Sequence, residues 1–340
     1  MILPADKTLA DYPRWENEDN DTPRIRRAIA DCPSGVLYFP AGVYEIAEMV
    51  EVTNACSLLL HKSAILRAVR EMDFVLSMDC VVHWDKKLQA PGTPEDYNLF
   101  IRGGQFDGNG LASCLFVTRY HHFTLADTTC LNGKHYGLKV DGDEKFGYEI
   151  IVNNLYCKTV IPGLAGNVGV YIEGGDSHYT DVVVVDYTVG FRLVNHAWAN
   201  RLTRCHVWGG PVPPKAEGEL PEMLVDSICF DINVANNTLR DCYADTGKTG
   251  FRINASTQLL GCHYFSNPAF RLDDITCIDH LRGRLTVSDS CFHKTAEHVE
   301  IYRGSWEQVV WHNNFLDGFP EEVQRRLSCV DSDNCPSRLA

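Results

Sequence analysis

Val168-Gly-Val-Tyr-Ile172 is a phrase that the chain keeps repeating. Val189-Gly-Phe-Arg-Leu193, Ile228-Cys-Phe-Asp-Ile232, Thr249-Gly-Phe-Arg-Ile253 and Pro268-Ala-Phe-Arg-Leu272 follow it. Tyr136-Gly-Leu-Lys-Val140 and, more loosely, Ser113-Cys-Leu-Phe-Val117 precede it, and Glu297-His-Val-Glu-Ile301 is a late copy. Each copy reads small residue, apolar, variable, apolar, the pattern of a short strand with alternating faces. Val170 to Phe191 is 21 residues, Phe191 to Phe230 is 39, Phe230 to Phe251 is 21 and Phe251 to Phe270 is 19. A period near 20 is too short for a helix plus strands. It suits one coil of a parallel β-helix, each coil burying its apolar positions on its neighbours.

The 340 residues carry a net charge of −14, which argues against nucleic acid or an anionic membrane as partner, since both need a basic footprint. No apolar run approaches the roughly 20 residues of a membrane span. The first residues, Met-Ile-Leu-Pro-Ala-Asp, lack the basic and apolar regions of a secretory signal. Fourteen cysteines include no Cys-x-x-Cys pair, so a structural zinc site has no spacing support. Cys130, Cys157, Cys205, Cys242, Cys262 and Cys291 fall mid-coil and read as a ladder of buried thiols. Unpaired thiols without a signal point to the cytoplasm; a trimmed secreted chain would look the same.

Thr22-Pro23 opens a helix with Ile25, Ala28 and Ile29 on its apolar face, ending near Asp31-Cys-Pro. Two short strands broken by Pro-Ala-Gly follow, in Gly35-Val-Leu-Tyr-Phe-Pro-Ala-Gly-Val-Tyr-Glu-Ile46. This opening resembles that of the pectate-lyase superfamily, including proteins related to glycoside hydrolase family 28. Ile101-Arg-Gly-Gly-Gln-Phe-Asp-Gly-Asn-Gly110 resembles a later element of the same family, with Asp107 read as structural. The resemblance covers about residues 18–315. It implies a single-domain, all-β solenoid: a single-stranded right-handed parallel β-helix with a short N-terminal capping helix. Residues 1–34 form the N-terminal segment and cap, 35–315 the coils, and 316–340 a C-terminal helix and tail. Residues 83–97 read as a polar loop, and 158–167 and 209–226 as insertions.

Stacking of coils about 4.8 Å apart turns the phrase into columns. The outward residue of successive copies is Lys139, Tyr171, Arg192, Asp231, Arg252, Arg271 and Glu300. Two residues on, the next column is Asp141, Glu173, Val194, Asn233, Asn254 and Asp273. Three arginines and a lysine along one face suit an anionic sugar, because a guanidinium pairs bidentately with a carboxylate. The alternative is a surface salt-bridge ladder. The family resemblance implies that this face is the binding groove and the chain a carbohydrate-active enzyme. Glycoside hydrolysis by a carboxylate pair is the leading expectation, with Asp231 and either Glu173 or Asp273; Glu217, Glu219 and Glu222 are further partners for Asp231. Lys139, Tyr171, Arg192, Arg252, Arg271, His178 and His196 are the candidate substrate-binding residues. The family 28 catalytic elements are not matched residue by residue: Asp273-Asp274 has no Gly-His-Gly nearby.

Two other readings stand beside hydrolysis. A polysaccharide lyase would use Arg192, Arg252 or Lys139 as base on a uronate, with calcium neutralising the carboxylate; otherwise no cofactor is expected. A non-catalytic glycan-binding or structural β-helix would use the column as an interface, in a homo-oligomer such as a trimer. The expected partner is an oligosaccharide or polysaccharide substrate. The scattered histidines His121, His122, His178, His196, His206, His263 and His293 share no metal spacing, and no metal site is expected.

Overall fold

The computed structural model describes residues 5–80, 84–85, 90–91, 98–142, 147–160, 164–209, 211–212, 222–223, 227–267, 274–295 and 299–323. The repeat phrase forms one ten-stranded parallel sheet running from Val50–Val52 and Phe74–Asp79 to Ile275–His280 and Val299–Gly304. Two further rows of strands complete each coil. After Val168–Ile172 the chain makes His178–Thr180 and then Val183–Val185, and Val189–Leu193 closes the turn. Each strand pairs in register with its counterpart one coil on: Val170 with Phe191, Phe191 with Phe230, and Phe230 with Phe251. The result is a right-handed parallel β-helix.

The corners are made by single residues in the left-handed region. Asp181, Asp186 and Asn195 have φ of 54°, 67° and 53°. Aspartate and asparagine tolerate this conformation because their short polar side chains bond locally. Inside, the rings of Phe191, Phe230 and Phe251 stack at 5.3 and 5.2 Å between centroids, all fully buried. Burying one such ring contributes about 1.5–3 kcal/mol.

The alternation within the phrase is broken at its small residue. Gly190 and Phe191 both face inward: a Cβ on Gly190 would lie 2.4 Å from Val207 Cγ1 and 2.5 Å from the Cys229 carbonyl. Val168, Val189 and Ile228 consequently lie outside the main core, in a small cluster against Tyr136 and Tyr171. This explains why the position holds only glycine or cysteine in Tyr136–Val140, Val168–Ile172, Val189–Leu193, Ile228–Ile232 and Thr249–Ile253.

The entry is as expected. Helix Thr22–Ala30 buries Ile25, Ala28 and Ile29, and Pro23 lies in its first turn. Asp21, 1% exposed, pins it to strand Gly42–Ile46 through the Glu45 amide and the guanidinium groups of Arg14 and Arg24. Asp107 is structural, bonded by Arg67, Asn109 and Asn132. In the 209–226 insertion Pro211–Val212 pairs antiparallel with Glu222–Met223; the side chains of Glu217, Glu219 and Glu222 lie outside the described residues. At the far end 321–323 is helical, and the rest of the expected C-terminal helix lies outside the described residues.

Three assignments change in the last coils. The strand stacked on Thr249–Ile253 is Ile275–His280, not Pro268 to Leu272, which lies outside the described residues. Buried His280, held by Tyr302 Oη at 2.6 Å and the Gly283 carbonyl at 2.8 Å, fills the place of the second apolar residue and hides the repeat. In the final copy the register runs Asp279 to Arg303, and Glu300 faces Thr276 instead. The thiol ladder holds for Cys205, Cys242 and Cys262, whose Sγ atoms each bond a carbonyl of the preceding coil. It does not hold for Cys291: Ser290 takes the inward place, and its hydroxyl accepts the Cys262 amide.

The inward glycine gives a direct stability test. Gly190→Ala overpacks the coil and should cost about 1–3 kcal/mol, read as a lower melting temperature with the circular dichroism spectrum retained. An unchanged melting temperature would contradict the inward assignment.

Candidate functional site

The outer face of the ten-stranded sheet carries the column that the repeat implied. Its order is Phe116, Lys139, Tyr171, Arg192, Asp231, Arg252, Asp279, Arg303. The residue above Arg252 is therefore Asp279; Arg271, expected there, lies outside the described residues. From Arg192 onward the signs alternate and the pairs close. Arg192 Nε donates to Asp231 Oδ2 at 2.8 Å, and Arg252 Nε to Asp279 Oδ2 at 3.2 Å. Asp231 is only 5% exposed, and its other oxygen accepts from Asn233 Nδ2 at 3.0 Å. Its carboxylate is occupied by the protein itself.

The second column begins where each strand ends. Asp141, Glu173, Val194, Asn233 and Asn254 each donate a main-chain N–H to the coil before. Leu281 takes the next place; Asp273, expected there, lies outside the described residues. Here the signs do not alternate. Asp141 and Glu173 sit on successive coils and their carboxyl groups hydrogen-bond each other. Burial, reinforced by the neighbouring Glu173, pushes the Asp141 carboxyl up to about 6, against the pull of Lys139. Burial also acts on Glu173, but hydrogen bonds from Asp141 and Tyr171, the Lys139 charge and the Asn195 amide outweigh it and hold Glu173 below the usual range. Adjacent carboxyls disfavour double ionisation, so below the Asp141 value the pair favours a protonated Asp141 beside an ionised Glu173.

The surroundings are fixed by the same stacking. Tyr171 Oη donates to Glu173 Oε1 at 2.8 Å, and Asn195 Nδ2 donates to the same oxygen at 2.7 Å. Burial and Glu173 hold the Tyr171 phenol well above its ordinary value, so it stays protonated. Lys139 Nζ lies 5.2 Å from the Phe116 ring centre and 5.7 Å from that of Tyr171. Phe74, Phe116, Tyr136 and Tyr171 continue as an aromatic strip, with Phe74 and Phe116 stacked at 5.1 Å and Tyr136 against Tyr171 at 5.4 Å. A cavity of about 490 Å³ opens beside it, lined by Phe74, Phe116, Tyr136, Lys134 and Glu71 among others.

Of the residues singled out from sequence, Lys139, Tyr171, Glu173 and Arg192 come together, with Asp231 and Arg252 on the following coils. His196 lies at the turn after Arg192, edge-on to Trp198 at 5.5 Å. His178 is exposed in the adjacent row of strands, away from this face. Sequence reading placed Asp141 in the right column but left it out of the site. The signal was its stacking on Glu173, a like-charge contact with no arginine between. On another row, His263, Cys291 and His293 place one ligand atom each within 4.8 Å of one another, a grouping that sequence spacing did not reveal.

The sequence matches no protein-family model and no curated protein. Solved structures do match. The mannuronan C-5 epimerase AlgE4 A-module of Azotobacter vinelandii is 13% identical, with 92% of this chain and 96% of that chain covered and a TM-score of 0.59. An endo-xylogalacturonan hydrolase from Aspergillus tubingensis is 13% identical, covered over 90% and 91%, at 0.54. The Dettilon tailspike protein is 11% identical, covered over 91% and 68%, at 0.58. At these identities the likeness carries the architecture alone: the chain has a right-handed parallel β-helix fold.

Proposed function

We propose that the chain is a carbohydrate-active enzyme that binds a uronate-containing oligosaccharide or polysaccharide along the ten-stranded sheet and cleaves it by β-elimination at Asp141 and Glu173. The proton shared by those two carboxyls carries the reading. Neighbouring carboxyls whose environments drive their proton affinities apart are the usual arrangement for paired acid and base roles. A mannuronan epimerase and a xylogalacturonan hydrolase among the matching structures support a polyuronate as the substrate class.

Glu173, held ionised, is the base for the proton on the ring carbon that bears the uronate carboxylate. Asp141, which keeps its proton up to about pH 6, donates a hydrogen bond to that carboxylate as enolate charge builds on it, and the Lys139 ammonium adds its charge. The electrons of the broken C–H bond form a carbon–carbon double bond, and the glycosidic C–O bond on the next carbon breaks. Tyr171, kept protonated, supplies the proton to the departing oxygen. The aromatic strip gives the sugar rings flat apolar faces. The ladder from Arg192 to Asp279 is the positioning element. If calcium assists, Asp141 and Glu173 are the carboxylates that suit it as oxygen ligands, and it would supply the charge that the shared proton otherwise supplies.

Hydrolysis fits less well. Hydrolase carboxylates stand about 5–5.5 Å apart when retaining and about 6.5–9.5 Å when inverting, wider than a hydrogen-bonded pair. The alternative of glycan binding without turnover leaves the proton-sharing pair without a role. Buried free thiols along the core support the expected reducing, cytoplasmic setting.

Incubation with a panel of uronate-containing and neutral oligosaccharides, read by reducing ends and ultraviolet absorbance together, tests the reaction. Both signals should rise on uronates. Reducing ends without absorbance would establish hydrolysis, and binding without either signal would establish a lectin-like role. Glu173→Gln should lower kcat by about 10²–10⁴-fold.

The pH profile follows from the two roles. Activity should fall on the acid side as Glu173 takes a proton and on the alkaline side as Asp141 loses one, through about 6. Asp141→Asn keeps a hydrogen-bond donor and should remove the alkaline limb, measured as kcat/KM against pH.

Asp231→Ala separates ladder from chemistry. It leaves Arg192 without its partner and should cost about 1–3 kcal/mol of stability, with a smaller loss of kcat than Glu173→Gln. Full stability with loss of activity equal to that of Glu173→Gln would return Asp231 to the catalytic role.

A further inference from the structure

Away from the ten-stranded sheet, the outer face of the last coils gathers His263, Cys291 and His293. Three features set this group apart from scattered polar residues. First, Cys291 is the only one of the twelve cysteines among the described residues that is not buried. The inward series is Cys205, Cys242, Cys262 and then Ser290, so the thiol stands one residue past its ladder place and therefore on the opposite face. Second, Cys291 lies in register with His263 one coil below, and His293 follows on the same side two residues on. Cys291 Sγ and His293 Nε2 are 3.2 Å apart. A tetrahedral zinc ion with bonds of about 2.3 Å to sulfur and 2.0–2.1 Å to nitrogen sets such ligand atoms about 3.6 Å apart. Third, His293 Nδ1 faces Asp317 Oδ2 at 3.1 Å, from the coil above. A carboxylate on Nδ1 fixes the tautomer that leaves the Nε2 lone pair toward Cys291, the arrangement of carboxylate–histidine–zinc sites.

We propose that His263, Cys291 and His293 form a site for a thiophilic divalent cation, zinc first, with Asp317 orienting His293 and the fourth position open to solvent. Two nitrogens and a sulfur select zinc over calcium or magnesium, which take oxygen ligands. The ligands come from two successive coils and the orienting carboxylate from a third, so the ion clamps the last described coils together. A thiol must lose its proton to bind the ion, so uptake releases a proton. The site does not share residues with the Asp141–Glu173 groove and does not depend on that reading.

The test is titration of the full chain, first stripped with a chelator, with cobalt and then zinc. One equivalent of cobalt should give a thiolate-to-metal charge-transfer band in the near ultraviolet and the strong visible bands of four-coordinate cobalt, and zinc should bleach both. Cys291→Ser should abolish the charge-transfer band. His263→Ala, at an exposed position, should weaken binding with the circular dichroism spectrum unchanged. Asp317→Asn should weaken it about 10–100-fold. Zinc should raise the melting temperature of the parent chain and not that of Cys291→Ser. The double variant Cys329→Ser/Cys335→Ser should bind as the parent does. Absence of the band, its survival in Cys291→Ser, or its loss in the Cys329/Cys335 variant would each overturn the proposal.

Discussion

The parallel main-chain ladder places each residue of one coil over its counterpart in the next at the spacing of paired strands, about 4.8 Å. Everything else in the molecule is a response to that spacing. Inside, the response is steric. Phenyl rings stack on phenyl rings, and the position beside them must be glycine or cysteine because the neighbouring coil already fills the space. Outside, it is electrostatic. Charges at counterpart positions are forced together, and the chain must make them compatible.

The outer face does this in two ways. From Arg192 to Asp279 the column alternates in sign and closes into ion pairs, which makes a firm but chemically quiet ladder. At Asp141 and Glu173 the column sets carboxyl on carboxyl, and burial with the neighbouring Glu173 raises Asp141, which favours a proton there in place of a counter-ion. A half-buried group poised to give or take a proton is what acid–base catalysis needs. The ion-paired ladder and the carboxyl pair on this outer face thus arise from one rule applied to different side chains.

Much of this was legible in the sequence. The period near 20 and the phrase gave the coils, and the outward position gave Lys139, Tyr171, Arg192, Asp231 and Arg252 in their true order. Reading failed where a polar residue entered the core. Buried His280 breaks the apolar pattern, so spacing alone points to Phe270 and Arg271 for the strand that Ile278 and Asp279 form. It also ranked Asp231 above Asp141. Columns can be read from spacing, but whether an aspartate is closed by Arg192 or raised by burial beside Glu173 depends on side-chain depth and direction, which spacing does not carry. The His263–Cys291–His293 group was invisible for a related reason. Its members are joined by coil register, and the spacing of the cysteines points Cys291 inward although Ser290 is the residue that continues the ladder.

The claim on which the functional account rests is that Asp141 and Glu173 hold one proton between them. A carboxyl carbon-13 NMR titration of the two side chains, in the parent chain and in Glu173→Gln, tests it most directly. The account predicts two coupled steps in the parent, with one proton retained by the pair up to about pH 6. It also predicts that Asp141 in Glu173→Gln, relieved of its charged neighbour, titrates at lower pH. Two independent titrations near 4, the ordinary carboxylate range, with Asp141 unmoved by the substitution, would contradict it.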